Sequence, residues 1–184
     1  MRLLPADPVK RGRVKLALLT ALFAIPVIAG WVAYVSGWGS GAASNYGLLL
    51  APQPIAAAPL AALRGKWVLV QLDAAACEAR CEQKLYYMRQ VRRAQGRQMN
   101  RVERLWIVTD SGVPAPALLA AMEGTHVARG DAQLAAAFPA ERAVTDHIYL
   151  VDPLGNLMLR FPRDPNPSKM VKDLERLLKY SGFG

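Results

Sequence analysis

The run LALLTALFAIPVIAGWVAYV, from Leu16 to Val35, holds twenty residues without a charge. At about 1.5 Å of rise per residue, a helix of that length spans roughly 30 Å, the thickness of a hydrocarbon core. A helix on the surface of a soluble domain keeps a polar face, and this run has none. It therefore predicts a membrane helix, with Pro26 tolerated inside it as a kink. Trp31, Tyr34 and Trp38 gather at its far end in the manner of an interfacial aromatic belt. Arg2, Lys10, Arg11, Arg13 and Lys15 precede the run, and the positive-inside rule keeps such a terminus in the cytoplasm. The remainder is then expected beyond the inner membrane, in a periplasm. A cleaved signal peptide is the competing reading, with Ser40-Gly41-Ala42 as its small-residue cleavage site. The apolar run exceeds the roughly 7–15 residues usual in such a peptide, which favours a retained, single-pass anchor.

The expected organisation follows. Residues 1–15 form a basic cytoplasmic terminus, and 16–38 the anchor. Residues 39–60 form a linker and irregular cover, rich in Gly, Ala and Ser at first and then broken by Pro52, Pro54 and Pro59. Residues 61–184 form a folded domain. In that domain KWVLVQL (66–72) and RLWIVT (104–109) read as buried strands. Cys77 to Gln95 has helical spacing and Gly96 stops it. Pro114 to Met122 reads as a helix, Thr125 to Ala128 as a short strand, and Asp131 to Phe138 as a helix capped by Asp131. HIYLV (147–151) and NLMLRF (156–161) form a hairpin, and a last helix starts at Asn166 or Ser168. Strands alternating with helices predict an α/β sheet covered on both faces, and the terminal hairpin and helix fit a thioredoxin-like architecture.

The chain carries a formal charge of +9. Beyond the N-terminal cluster, the excess falls on Lys84, Arg89, Arg92, Arg93, Arg97, Arg101 and Arg104. No zinc-finger spacing or aromatic-rich RNA-binding signature accompanies them, so a nucleic-acid partner is not expected. The second cluster reads as a solvated helix face and loop.

Cys77 and Cys81 are the only cysteines. Placed four apart at a helix start, just past the end of a strand, they share one face and lie where α/β sheets put their sites. A helix N-terminus stabilises a thiolate, and Arg80 between the two adds to this. The pair can close a disulfide or grip a soft ion such as Cu(I). Zinc and iron–sulfur sites usually need four protein ligands, and no further Cys exists. A purely structural disulfide is the bland alternative, although a loop this short gains little chain entropy.

With the single anchor, KWVLVQL leading to CEARC, RLWIVTD and YLVDPLGNL, the chain resembles the Sco/SenC family, membrane-anchored thioredoxin-like proteins of cytochrome c oxidase copper-centre assembly. The likeness covers most of the chain after the linker. It implies copper held by Cys77, Cys81 and a histidine before the hairpin, and a copper-binding oxidase subunit as partner. Two departures stand out. Glu78 and Glu82 follow the cysteines where the family usually has proline. The family histidine aligns with Val144, and His147 lies three positions later. His147 is nonetheless the candidate third ligand, the alternative being a strand residue sharing a face with Tyr149. His126 reads as an ordinary loop or edge-strand histidine. The segment AVTDHIYLV has no proline before its strand, unlike broad-specificity thiol oxidoreductases.

Three functions remain open on these residues. One is a copper chaperone that passes its ion to an apo-subunit by ligand exchange. Another is a dedicated thiol–disulfide reductase, with Cys77 attacking and Cys81 resolving, that keeps a partner's copper-site cysteines reduced. The third is a non-catalytic membrane assembly factor with an inert disulfide. The first two require the sulfurs to stay chemically available.

Overall fold

A computed structural model describes residues 8–36 and 45–182, in two units that divide between Ser44 and Asn45. Arg2, Trp38 and the Ser40-Gly41-Ala42 site lie outside the described residues.

The described residues of the N-terminal unit form one helix, α1 (Pro8–Val35, 28 residues). The most apolar 18-residue window within Val9–Val35 has a mean hydropathy of 2.3, and none of it is buried by protein. Among the described residues it is the one helix long and apolar enough to cross a membrane. The helix starts before the apolar run, so Lys10, Arg11, Arg13 and Lys15 are helical too. Thr20 Oγ1 donates to Leu16 O at 2.9 Å, which satisfies its hydroxyl within the helix.

The second unit is a six-stranded sheet in the order β1-β6-β5-β2-β3-β4. Its elements are β1 (Leu48–Pro54), α2 (Ala58–Ala61), β2 (Trp67–Asp73), α3 (Ala79–Ala94), β3 (Val102–Val108), α4 (Pro116–Ala121), β4 (His126–Arg129), α5 (Ala132–Ala136), β5 (Ile148–Val151), β6 (Asn156–Arg160) and α6 (Pro167–Tyr180). Strands β2, β3 and β4 are parallel, while β5, β6 and β1 run antiparallel to their neighbours. This is the thioredoxin-like sheet expected from the sequence, behind an N-terminal apolar helix. Asp131 and Asn166 cap α5 and α6, their side chains accepting from Leu134 N and Lys169 N at 2.7 and 3.2 Å.

Strand alternation divides the core in two. One face gathers Trp67, Leu69, Trp106, Ile148, Leu150 and Leu159 under α3 and α6. The other gathers Val68, Val70, Leu72, Leu105, Ile107 and Tyr149 under Leu60, Leu134 and Phe138. At about 25 cal/mol per Å² of apolar area buried, these two layers are the main force holding the sheet.

Within the expected linker and irregular cover of residues 39–60, one stretch is regular instead. Leu48 to Pro54 pairs with β6 as an edge strand, with a register shift between Leu49 and Gln53. Pro52 and Pro54 lack N–H donors, which confines such a strand to an edge. The chain enters it through Gly47, where a Cβ would lie 2.0 Å from Leu159 Cδ2. Tyr46 N and Gly47 N donate to the buried Asp173 carboxylate of α6 at 3.0 and 2.8 Å.

Candidate functional site

Strand β2 ends at Asp73, and three alanines lead to Cys77. The helix begins later than its spacing suggests. Glu78 occupies the N-cap position and Ala79 opens α3, so Cys77 precedes the helix and Cys81 lies in its first turn. Among the described residues Cys77 is the one non-glycine in the left-handed region, at φ 41°. That conformation costs an L-residue about 1–2 kcal/mol. It turns Cys77 back toward the helix, and the two cysteines form a disulfide with a Cα–Cα distance of 5.0 Å.

Both cysteines are more sealed than the sequence implies. Cys77 is 2% exposed and Cys81 3%, and both pack with Leu69, Leu85 and Ile148. Their route to solvent is a cavity of about 350 Å³, whose wall they share with Asp73, Glu78, Thr145 and Asp146. The loop above is braced by Asp110, which accepts from Ala75 N at 3.0 Å and Gly112 N at 3.2 Å. Arg80, expected to act on the thiolate, also lines the cavity and pairs with Asp164 at 3.7 Å.

Beneath the disulfide lies a polar cluster that sequence reasoning assigned to a solvated face. Lys84 is 2% exposed. Its Nζ donates to Asp73 Oδ2 at 3.3 Å and to the carbonyl of Thr145. Burial pushes its pKa down, and the Asp73 carboxylate works against that shift. Gln71, fully buried on β2, donates through Nε2 to Cys81 O at 3.2 Å and to Asp73 Oδ2 at 3.4 Å. One ammonium thus ties α3 to the end of β2 and to the turn before β5. The signal was present in the spacing, since Lys84 falls three after Cys81 and four before Met88, on the buried stripe.

His147 is not brought to the cysteines. It sits at the end of a 3₁₀ turn (Val144–Asp146), in extended conformation. Its Nδ1 lies 2.8 Å from Phe161 O, and its ring meets Tyr149 edge-on at 6.0 Å. Ile148, the next residue, packs with the cysteines, whereas Tyr149 belongs to the opposite core layer. His147 therefore follows Tyr149, on the other face of the sheet. Among the described residues no three of His, Cys, Asp and Glu gather as a metal-ligand group. The donors beside the cavity are two soft sulfurs and hard carboxylates, a set that does not match a resident three-ligand copper centre. His126 opens the edge strand β4, exposed, 3.6 Å from Glu103.

The model of a family described as "Transmembrane-like, thioredoxin-like, C-terminal domain" matches residues 67–181. Among solved structures, yeast Sco1 is similar with a TM-score of 0.51 at 19% identity, covering 66% of this chain and 84% of that one. Yeast Sco1 with copper bound gives 0.50 at 18% identity, covering 65% and 82%. A thiol:disulfide interchange protein of the thioredoxin family from Chlorobium tepidum gives 0.45 at 16%, covering 73% and 92%. The Sco resemblance read in the sequence is thus met as a divergent likeness of fold. No curated protein matches the chain by sequence.

Proposed function

This chain belongs to the transmembrane-like, thioredoxin-like C-terminal domain family, and on that premise we propose that it is a membrane-anchored thiol–disulfide reductase working through Cys77 and Cys81. The observation that carries the reading is the cysteine disulfide on the wall of a cavity, at the start of α3, with no imidazole on its side of the sheet. In the reducing direction, the Cys77 thiolate attacks a sulfur of the partner's disulfide. A mixed disulfide forms and one partner thiolate leaves. The Cys81 thiolate then attacks Cys77 Sγ, which closes the Cys77–Cys81 bond and releases the second partner thiolate. Two electrons pass to the partner, and an external dithiol reductant restores the pair. Since both sulfurs are nearly buried, the loop over 74–78 has to yield to a docking partner. The anchor α1 would hold this chemistry at the inner membrane on the periplasmic side.

A second reading treats Cu(I) as cargo. Two thiolates on one cavity wall form a soft, two-coordinate grip from which an incoming thiol takes the ion. A copper-binding subunit of cytochrome c oxidase would be the recipient here, and in the first reading the protein whose cysteines are kept reduced.

The test is the reduction potential of the pair, measured in the full chain in detergent by equilibration with glutathione. A value above about −300 mV supports a labile, working disulfide. A lower value, together with failure of Cys81→Ser to trap a mixed disulfide, overturns the redox reading. Anaerobic Cu(I) titration separates the cargo reading, which requires Cys77→Ser to weaken binding.

A further inference from the structure

A second cavity, of about 380 Å³, opens where the last turns of α3 meet β3 and α4, at the end of α3 away from the cysteines. Four arginines line it: Arg89, Arg92 and Arg93 from α3, and Arg104 from β3. Arg104 is only 3% exposed, on a strand whose neighbours are core residues. Its Nη2 donates to Glu123 O at 2.8 Å, but its Nε and Nη1 have no hydrogen-bond partner. The turn at Gly124, with φ +76°, closes so tightly that a Cβ there would lie 3.0 Å from Arg104 Nη2. Burial, then the positive charges of Arg92, Arg89 and Arg93, push the Arg104 pKa down to about 10.

The other arginines are unequally engaged. Arg89 Nη1 donates to Ala121 O at 2.7 Å, while its Nε is buried without a partner. Arg92 is occupied by Val102 O at 2.5 Å and by Glu103 at 3.6 Å. Arg93 is exposed at the rim. Against four guanidinium groups stand two carboxylates, Glu103, shared with His126, and Glu123 on the cavity wall. Two positive charges are left uncompensated, and buried N–H donors stand idle beside them. Unpaired buried donors of this kind cost stability unless something fills the site.

We propose that this cavity is a binding site for a phosphoryl group, held by the idle donors of Arg104 and Arg89 and by Arg93 at the rim. A doubly charged tetrahedral anion matches both the residual charge and the forked geometry of the guanidinium donors better than a single carboxylate. The phosphoryl group is borne either by a soluble phosphate or by a phospholipid headgroup, since both offer the same oxygens.

The test uses the full chain in dodecyl maltoside micelles, which carry no phosphate. Inorganic phosphate and dioctanoyl phosphatidic acid are titrated separately by calorimetry, with chloride at matched ionic strength as control. Saturable binding of either, with a rise in thermal midpoint, is expected, and Arg104→Met should weaken it at least tenfold. Arg93→Gln, at an exposed position that leaves the fold intact, should also weaken it severalfold, so the outcome does not depend on Arg104→Met folding. Binding of inorganic phosphate assigns a soluble ligand, and binding of phosphatidic acid alone assigns a lipid headgroup. Absence of saturable binding by both, or affinity unchanged in Arg93→Gln, overturns the proposal.

Discussion

His147 and Ile148 are consecutive, yet they face opposite sides of the sheet. Ile148 packs in the layer that holds Cys77 and Cys81, and His147 stacks edge-on against Tyr149 in the layer behind. Each residue along an extended strand reverses the direction of its side chain, so no small movement of the ring carries it through the sheet. His147→Gln should therefore leave the reduction potential of the cysteine pair unchanged. The same variant should leave Cu(I) affinity within about twofold, a difference of only about 0.4 kcal/mol. A tenfold loss of Cu(I) affinity would show that His147 reaches the sulfurs after all.

Lys84→Met should cost about 1–3 kcal/mol of unfolding free energy, because it strands the Asp73 carboxylate and the Thr145 carbonyl. Since that ammonium also fixes the turn forming one wall of the cysteine cavity, the variant should shift the potential of the pair as well. Denaturant midpoints and glutathione equilibria measure the two effects. A loss of stability with an unmoved potential would reduce Lys84 to a structural brace.

The strand and helix order was legible because buried strands and capped helices leave strong local patterns, as in KWVLVQL and at Asp131. The edge strand Leu48–Pro54 was not, since its prolines mark a break in any rule that treats strands as central. The cysteine pair was visible from spacing alone, but its burial was not, because Cys77 takes a left-handed backbone that no local residue preference announces. Lys84 and Arg104 were hidden by their own chemistry. Charge argues for solvent, and only the tertiary contacts of α3 and β3 place both among core residues. His147 was misplaced by sequence distance, which registers nearness along the chain and not the side of the sheet.

Asp173→Ala should destabilise the second unit by about 2–4 kcal/mol, because it leaves the Tyr46 and Gly47 amides without their charged acceptor. The damage should centre on the entry into β1. Limited proteolysis is expected to cut near residues 45–54 in the variant before any other site in this unit. Asp173→Asn keeps one acceptor oxygen and should recover roughly half the loss. Equal protection of this segment in wild type and Asp173→Ala would rule out the carboxylate as the clamp.

Tyr149 gives the alkaline limb of stability a definite sign. It is fully buried, its hydroxyl donates to Pro139 O at 3.1 Å, and burial pushes its pKa from 10.0 up to about 12. The unfolded chain ionises this phenol first, so above pH 10 the unfolded state binds fewer protons and stability falls with rising pH. The contribution is complete below pH 10 and is lost between pH 10 and about 12, at about 1.4 kcal/mol per pH unit. Lys84, whose pKa burial lowers, acts with the opposite sign, since deprotonation relieves its burial penalty as pH approaches 10.5. Both variants of the comparison retain Lys84, so wild type minus Tyr149→Phe isolates the phenol. That difference should stay constant up to pH 10, because the lost Pro139 bond does not titrate. It should then move toward Tyr149→Phe by on the order of 2–3 kcal/mol by pH 12. A flat difference across that window would mean that the folded state ionises Tyr149 as readily as the unfolded chain does.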